Sequence, residues 1–127
     1  MTRDDIDRLI AGGQHAAAAA ALRSLLRESP QAGTAAYATA RFEQIAARLP
    51  LTTLRVAILR SFTIEPMVAV LRARAYAAGI DLRLMLGDHN VIAPQLIDPH
   101  SALHDFGADV VIVAALTRDI APALWIG

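Results

Sequence analysis

Leu54-Arg55-Val56-Ala57-Ile58-Leu59-Arg60 and Asp109-Val110-Val111-Ile112-Val113-Ala114-Ala115-Leu116 decide the fold of this 127-residue chain. Neither stretch alternates apolar with polar residues, as a strand with one wet face would. Aliphatic and β-branched runs of this kind read as strands covered on both faces, the pattern of a parallel sheet. Asp81-Leu82-Arg83-Leu84-Met85-Leu86 reads as a strand between them. A helical stretch separates the first two strands, with Thr63 placed to cap it and Gly79 to close it. Its apolar face is read as Ile64, Met67, Val68, Leu71, Ala75 and Ala78. The resulting β-α-β-x-β unit predicts right-handed crossovers and a three-stranded parallel sheet of order 2-1-3, Rossmann-like or flavodoxin-like.

Upstream of Pro50 the pattern is helical. Thr2 and Asp5 have the spacing of a capping box, and Ile6, Leu9 and Ile10 repeat at helical intervals up to Gly12-Gly13. The Ala-rich run from Gln14 to Arg27 has high helix propensity and stops at Ser29-Pro30. A third helix is expected from an N-cap at Thr34, carrying Tyr37, Phe42, Ile45 and Leu49. Residues 13–48 thus read as a helical hairpin. It resembles one tetratricopeptide unit, but no second copy follows at the period such arrays need, so packing is its expected role. The expected organisation is a helical lead-in over residues 1–50 and an α/β domain over residues 51–127.

Composition narrows the function classes. Fifty-five per cent of the residues are hydrophobic, yet no apolar run is long enough to span a bilayer. The acidic, periodic start is not a secretory signal, which makes the cytoplasm the expected compartment. Twelve basic residues, all Arg, balance twelve acidic ones without a basic stripe, so neither nucleic acid nor membrane is an expected partner. Zero Cys removes disulfides, thiol nucleophiles and thiolate metal sites. Without Lys there is no P-loop, and no G-x-G-x-x-G follows the first strand.

In open α/β sheets ligands collect beyond the carboxyl ends of the strands. Three polar groups fall there: Ser61-Phe62-Thr63, Asp88-His89-Asn90 and Thr117-Arg118-Asp119. Ser61, Thr63, Asp88, His89, Asn90 and Arg118 are the candidate ligand- or partner-binding residues, and the helix after Thr63 would aim backbone N–H groups at the same crevice. Ser61 occupies a turn where hydrolases keep a nucleophile, with His89, His100 and His104 as the base candidates. Asp98-Pro99-His100-Ser101 matches the start of an Asp-x-His-x-x-Gly cobalamin motif, but Leu103 holds the glycine position and the stretch does not follow the first strand, which argues against that reading. His100 and His104 are spaced i, i+4 without a third ligand. No catalytic residue and no metal ligand is assigned. The long segment from Gly87 to Ala108 is expected as loop, with one short helix after the N-cap Ser101.

From Leu54 to Trp125 the chain resembles the N-terminal region of FkbH-like proteins, a branch of the haloacid dehalogenase superfamily. The residues that carry the resemblance are Leu54 to Thr63, Leu71, Gly79-Ile80, Gly87, the stretch from Ile97 to Phe106, and Ala108 to Val113. The resemblance implies an SGNH-like α/β domain followed by a phosphatase-like domain. It further implies polyketide biosynthesis, with a glyceryl unit loaded from a phosphorylated glyceric acid onto an acyl carrier protein. The phosphatase-like half carries an Asp-x-Asp motif and uses Mg²⁺. Here Asp5-Ile6-Asp7 lies in a capped helix, so Mg²⁺ is implied only for that other domain and no cofactor for this chain. Arg60 stands where SGNH enzymes have Asp, and His100 and Ala102 replace an acid and a glycine of the family pattern.

The reading is an accessory domain that positions the carrier protein or the substrate. Its partners would be an acyl carrier protein and the phosphatase-like domain of the same or a partner chain. The alternatives are a small SGNH-like esterase or acyltransferase using Ser61 with His89 or His104, and a non-catalytic interaction module. Residues 110–116 would form an exposed apolar edge, so the sheet is expected to be incomplete without further chain or a partner, and a homo-oligomer through this strand is one solution.

Overall fold

The structure, a computed structural model, describes residues 1–124. Trp125, where the resemblance ends, lies outside the described residues. Among the described residues seven helices and three strands follow in the order α1 (Arg3–Ala11), α2 (His15–Glu28), α3 (Ala32–Ile45), β1 (Thr52–Arg60), α4 (Glu65–Ala77), β2 (Ile80–Leu86), α5 (Ile92–Ile97), α6 (Ala102–Phe106), β3 (Val110–Ala114) and α7 (Thr117–Ile120). Short 3₁₀ turns follow α3 and α7. None of the described helices is long and apolar enough to cross a membrane.

The chain divides into two compact units. Residues 1–53 and 66–81 form the first, and residues 54–65 and 82 onward form the second. In the first unit the Thr2–Asp5 capping box is present, with the Asp5 amide donating to Thr2 Oγ1 at 3.2 Å and the Thr2 amide to Asp5 Oδ2 at 2.9 Å. Ile6, Leu22, Leu26, Phe42 and Ile45 build its core together with Ala73 and Tyr76 of α4. The Phe42 and Tyr76 rings stack at 5.2 Å, an arrangement that adds about 0.5–1.5 kcal/mol to their area burial. Thr39 Oγ1 donates to the Ala69 carbonyl at 2.8 Å, and Arg72 pairs with Glu43 at 2.6 Å.

Two sequence expectations change here. Thr34 does not cap α3: the helix begins at Ala32, directly after the Ser29-Pro30 turn, and Thr34 is buried within it. The buried residues of α4 are Ala73 and Tyr76, while Met67 of the expected face is 53% exposed. Helix α4 is apolar nearly all round, so periodicity could not select its packed face; the Phe42 ring selects Tyr76.

In the second unit the sheet order is β2-β1-β3, with β1 and β3 parallel and Val56 beside Val110 and Arg60 beside Ala114. Strand β1 is the covered centre, with Val56 through Leu59 all buried. Ala57 and Leu59 pack with Leu103, Met85, Ile92, Phe106 and Ala108, so α5 and α6 cover that face. Arg55 fastens the start of β3: its amide donates to Asp109 Oδ2, and its guanidinium donates to the Phe106 carbonyl and lies 4.3 Å over the Phe106 ring.

The segment from Gly87 to Ala108 holds two short helices rather than one. Pro94 is the third residue of α5, within the first turn, where a missing N–H costs no intrahelical bond. Strand β3 also departs from expectation. Its uninterrupted apolar run predicts cover on both faces, yet Val110 through Val113 are each 42–51% exposed. It is the outer strand on its side, so β1 covers only one of its flanks.

Candidate functional site

The three strand ends converge. The Ser61 amide donates to the Ala114 carbonyl at 3.0 Å, which ties the end of β1 to the end of β3. The Gly87 amide donates to the Ile58 carbonyl at 2.8 Å and the Asn90 amide to the Arg60 carbonyl at 3.1 Å, which brings the turn after β2 alongside. Gly87 makes this approach possible, because a Cβ there would meet Leu59 Cδ2 at 3.0 Å. Asn90 takes φ +61°, the left-handed conformation that Asn tolerates better than most residues. Among the candidates, Thr63, Asp88, His89, Asn90 and Arg118 are exposed beyond the strand ends.

Ser61 differs from the others. It is 5% exposed, and its Oγ accepts the Leu116 amide at 2.9 Å. That bond holds the turn after β3 in place and points the hydroxyl inward, away from solvent. Among the described residues no hydrogen bond joins Ser61 to a histidine. His104 Nδ1 lies 2.9 Å from Ser101 Oγ instead. The Ser101–His104 contact looks like a nucleophile–base pair, but Ser101 Oγ already donates to the Gln95 carbonyl at 2.7 Å. Its one proton is therefore held there, and the imidazole supplies the N–H of the second bond. A base must accept the hydroxyl proton to generate a nucleophile. The arrangement instead fastens α6 to α5, helped by the Leu103 amide donating to Gln95 Oε1.

The groups the sequence reading missed are Arg60, Glu65 and Gly87. Arg60 Nε donates to the Gly87 carbonyl at 2.9 Å, and its terminal nitrogen pairs with Glu65 at 2.6 Å while the guanidinium side chain is only 13% exposed. Glu65 also accepts the Ile64 amide at 3.2 Å. The Arg60 hydrogen bond, foremost, holds the Glu65 carboxyl below its ordinary value. Helix α4 begins at Glu65, one residue later than a cap at Thr63 requires, and the Ile64 amide just before it donates to the Glu65 carboxylate. The amides read as open to an anion meet the protein's own carboxylate at Ile64. A polar residue closing an apolar strand, with an acid five positions on, is the signal for this latch in the sequence.

Mg²⁺ takes near-octahedral oxygen coordination through carboxylates and waters. No group of three His, Cys, Asp or Glu side chains among the described residues could hold a metal ion. The residues present therefore do not fit Mg²⁺, and no step here passes through it.

Neither a family model nor a curated protein matches the sequence. A solved structure similar in fold is the N-terminal part of the protein BF1531 from Bacteroides fragilis, which contains a phosphatase domain and is complexed with Mg. The match has TM-score 0.60 at 20% identity and covers 73% of this chain and 23% of that one. It shows the shared α/β fold, and the chain corresponds to about a quarter of its neighbour's length.

Proposed function

We propose that this chain is an accessory domain of an FkbH-like, phosphatase-associated protein of polyketide biosynthesis. In this reading it positions an acyl carrier protein, or the phosphorylated glyceric acid, for glyceryl loading by a phosphatase-like domain in the cytoplasm. The Mg²⁺ of the reaction belongs to that other domain. The observation that carries the reading is the Ser61–Leu116 hydrogen bond, because it makes the one hydroxyl at a nucleophile's position a structural tie. The ordered resemblance from Leu54 to Val113 supports the family. The fold shared with a chain described as containing a phosphatase domain supports the association.

In this role the rim works by shape and polarity. Asp88, His89, Asn90 and Arg118 are exposed around a turn cluster fastened by Arg60, Gly87 and Ser61, so their backbones are held before a partner arrives. Fixing contact groups in advance lowers the ordering cost of association. A pull-down with the phosphopantetheine-bearing carrier protein tests the reading. Retention that falls when His89 and Arg118 are both replaced by Ala supports it. No retention by this chain, alone or joined to the phosphatase-like domain, would sink it.

A further inference from the structure

We propose that the Arg60 guanidinium is a binding site for the carboxylate of a small acid, and that the Glu65 carboxylate occupies it until such an acid arrives. Arg60 is the last residue of β1 and lies beside Ala114, the last of β3. In parallel sheets of order 2-1-3 the crevice beyond the carboxyl ends of these two strands is the switch point at which ligands settle. The central strand therefore delivers one positive charge, on a side chain only 13% exposed, to the place where an anion would be recognised.

The guanidinium is fixed in place but its donors are not used up. It is planar and presents five N–H groups in a rigid fork. Nε donates to the Gly87 carbonyl at 2.9 Å, which orients the fork, and Nη1 donates to Glu65 Oε2 at 2.6 Å. Nη2 donates to nothing among the described residues. It reaches the surface, since the one buried side-chain nitrogen left without a partner among those residues is His15 Nδ1. The end of the fork, Nη1 with Nη2, is thus open to a second carboxylate.

Glu65 fills the site only in part. The Arg60 bond and the Ile64 amide bond, at 3.2 Å, both fall on Oε2, so its carboxylate meets the fork at one point rather than two. Hydrogen bonds from Arg60, then from the Glu65 and Ile64 amides, hold the carboxyl below its ordinary value, so it is charged at neutral pH. Its side chain is 52% exposed, and an ion pair open to water on one side is held weakly. A free carboxylate can take Nη1 and Nη2 together, the bidentate geometry that Arg favours, while Glu65 turns out into solvent. Among the described residues Arg60 is the one ion-pair partner of Glu65, so the site offers a single positive charge. That balances a carboxylate and leaves a phosphate dianion half uncompensated. The inference stands apart from the carrier-protein reading, since it concerns a small acid and its test needs neither carrier protein nor phosphatase-like domain.

Sodium acetate titrated into the whole chain at constant ionic strength, from about 1 to about 200 mM, the range of weak fragment-sized ligands, tests it by NMR. In the wild type the Arg60 Nε–H and the Ile64 and Gly87 amide resonances should shift along a shallow isotherm. Glu65→Gln removes the competing charge and should bind acetate roughly tenfold tighter, read at the same resonances. Adding Arg60→Gln to Glu65→Gln should abolish the response. A Glu65→Gln chain that does not respond overturns the proposal, as do equal affinities in wild type and Glu65→Gln, a response undiminished by Arg60→Gln, or binding of inorganic phosphate where acetate does not bind. Should the double variant not fold, the Arg60 Nε–H resonance of Glu65→Gln decides: moved by acetate it supports the site, and unmoved it overturns it.

Discussion

Replacing Ser61 by Ala separates a structural hydroxyl from a catalytic one. The side chain is 5% exposed and its Oγ accepts the Leu116 amide at 2.9 Å. Removing that oxygen leaves a half-buried N–H without its partner. An unsatisfied buried donor costs about 1–3 kcal/mol. Partial access of water to Leu116 places this case near the lower half, at about 1–2 kcal/mol. For a chain of this length, a loss of that size lowers the melting temperature by roughly 3–8 °C. The same bond organises the turn that carries Arg118, so the amide resonances of Leu116, Thr117 and Arg118 should shift as well. The assay is paired thermal and urea unfolding by far-UV circular dichroism, together with hydrolysis of an activated ester by wild type and variant. Equal ester rates and a clear loss of stability are expected. A variant as stable as wild type, or one that abolishes a hydrolysis above background, refutes the structural assignment of Ser61.

Other outcomes follow from the same contacts. Phe42→Ala removes a fully buried ring stacked on Tyr76 and should cost about 3–5 kcal/mol, read as a large drop in unfolding midpoint or loss of helical signal; a change below about 1 kcal/mol contradicts the packing described. Asp7 accepts bonds from Arg41 Nε at 2.7 Å and from the Tyr37 hydroxyl at 2.9 Å, and the Arg41 bond, foremost, holds its carboxyl below the ordinary 3.8. Its folded pKa lies below the unfolded one, so the stabilisation is full above about pH 5 and is lost as pH falls through the folded value. The melting-temperature gap between wild type and Asp7→Asn should therefore be present at neutral pH and narrow as pH falls through the folded value, and a gap independent of pH would argue against the ion pair. Glu65→Gln frees Arg60 from its carboxylate partner; amide exchange at Gly87 and Asn90 should quicken, and unchanged exchange would show that the latch does not hold the rim.

The sheet was legible because strand runs carry their own signal. Val56 through Leu59 and Val110 through Val113 announce strands by aliphatic density, and the helical spacer between β1 and β2 leads to the order β2-β1-β3. The packed face of α4 was not legible, since Met67, Val70, Leu71 and Tyr76 surround the helix and only the Phe42 ring, far away in sequence, singles out Tyr76. The same limit applies at the strand ends. Ser61, Asp88, His89, Asn90 and Arg118 could be placed there from the α/β pattern. That Ser61 is tied to Leu116 and Arg60 to Glu65 depends on hydrogen-bond geometry, which residue type alone does not carry. Pro94 misled for a local reason: proline breaks a helix interior but is tolerated in its first turn, and α5 has little more than that turn.

The most direct test of the accessory role is a loading assay. A phosphatase-like domain, its carrier protein and a bisphosphorylated glyceric acid are incubated with Mg²⁺, with and without this chain, and glyceryl-carrier protein is followed by intact mass. The account predicts that this chain accelerates loading in the presence of the phosphatase-like domain, loads nothing by itself, and loses the effect when His89 and Arg118 are both Ala. Loading by this chain alone, or loading indifferent to its presence, would contradict it.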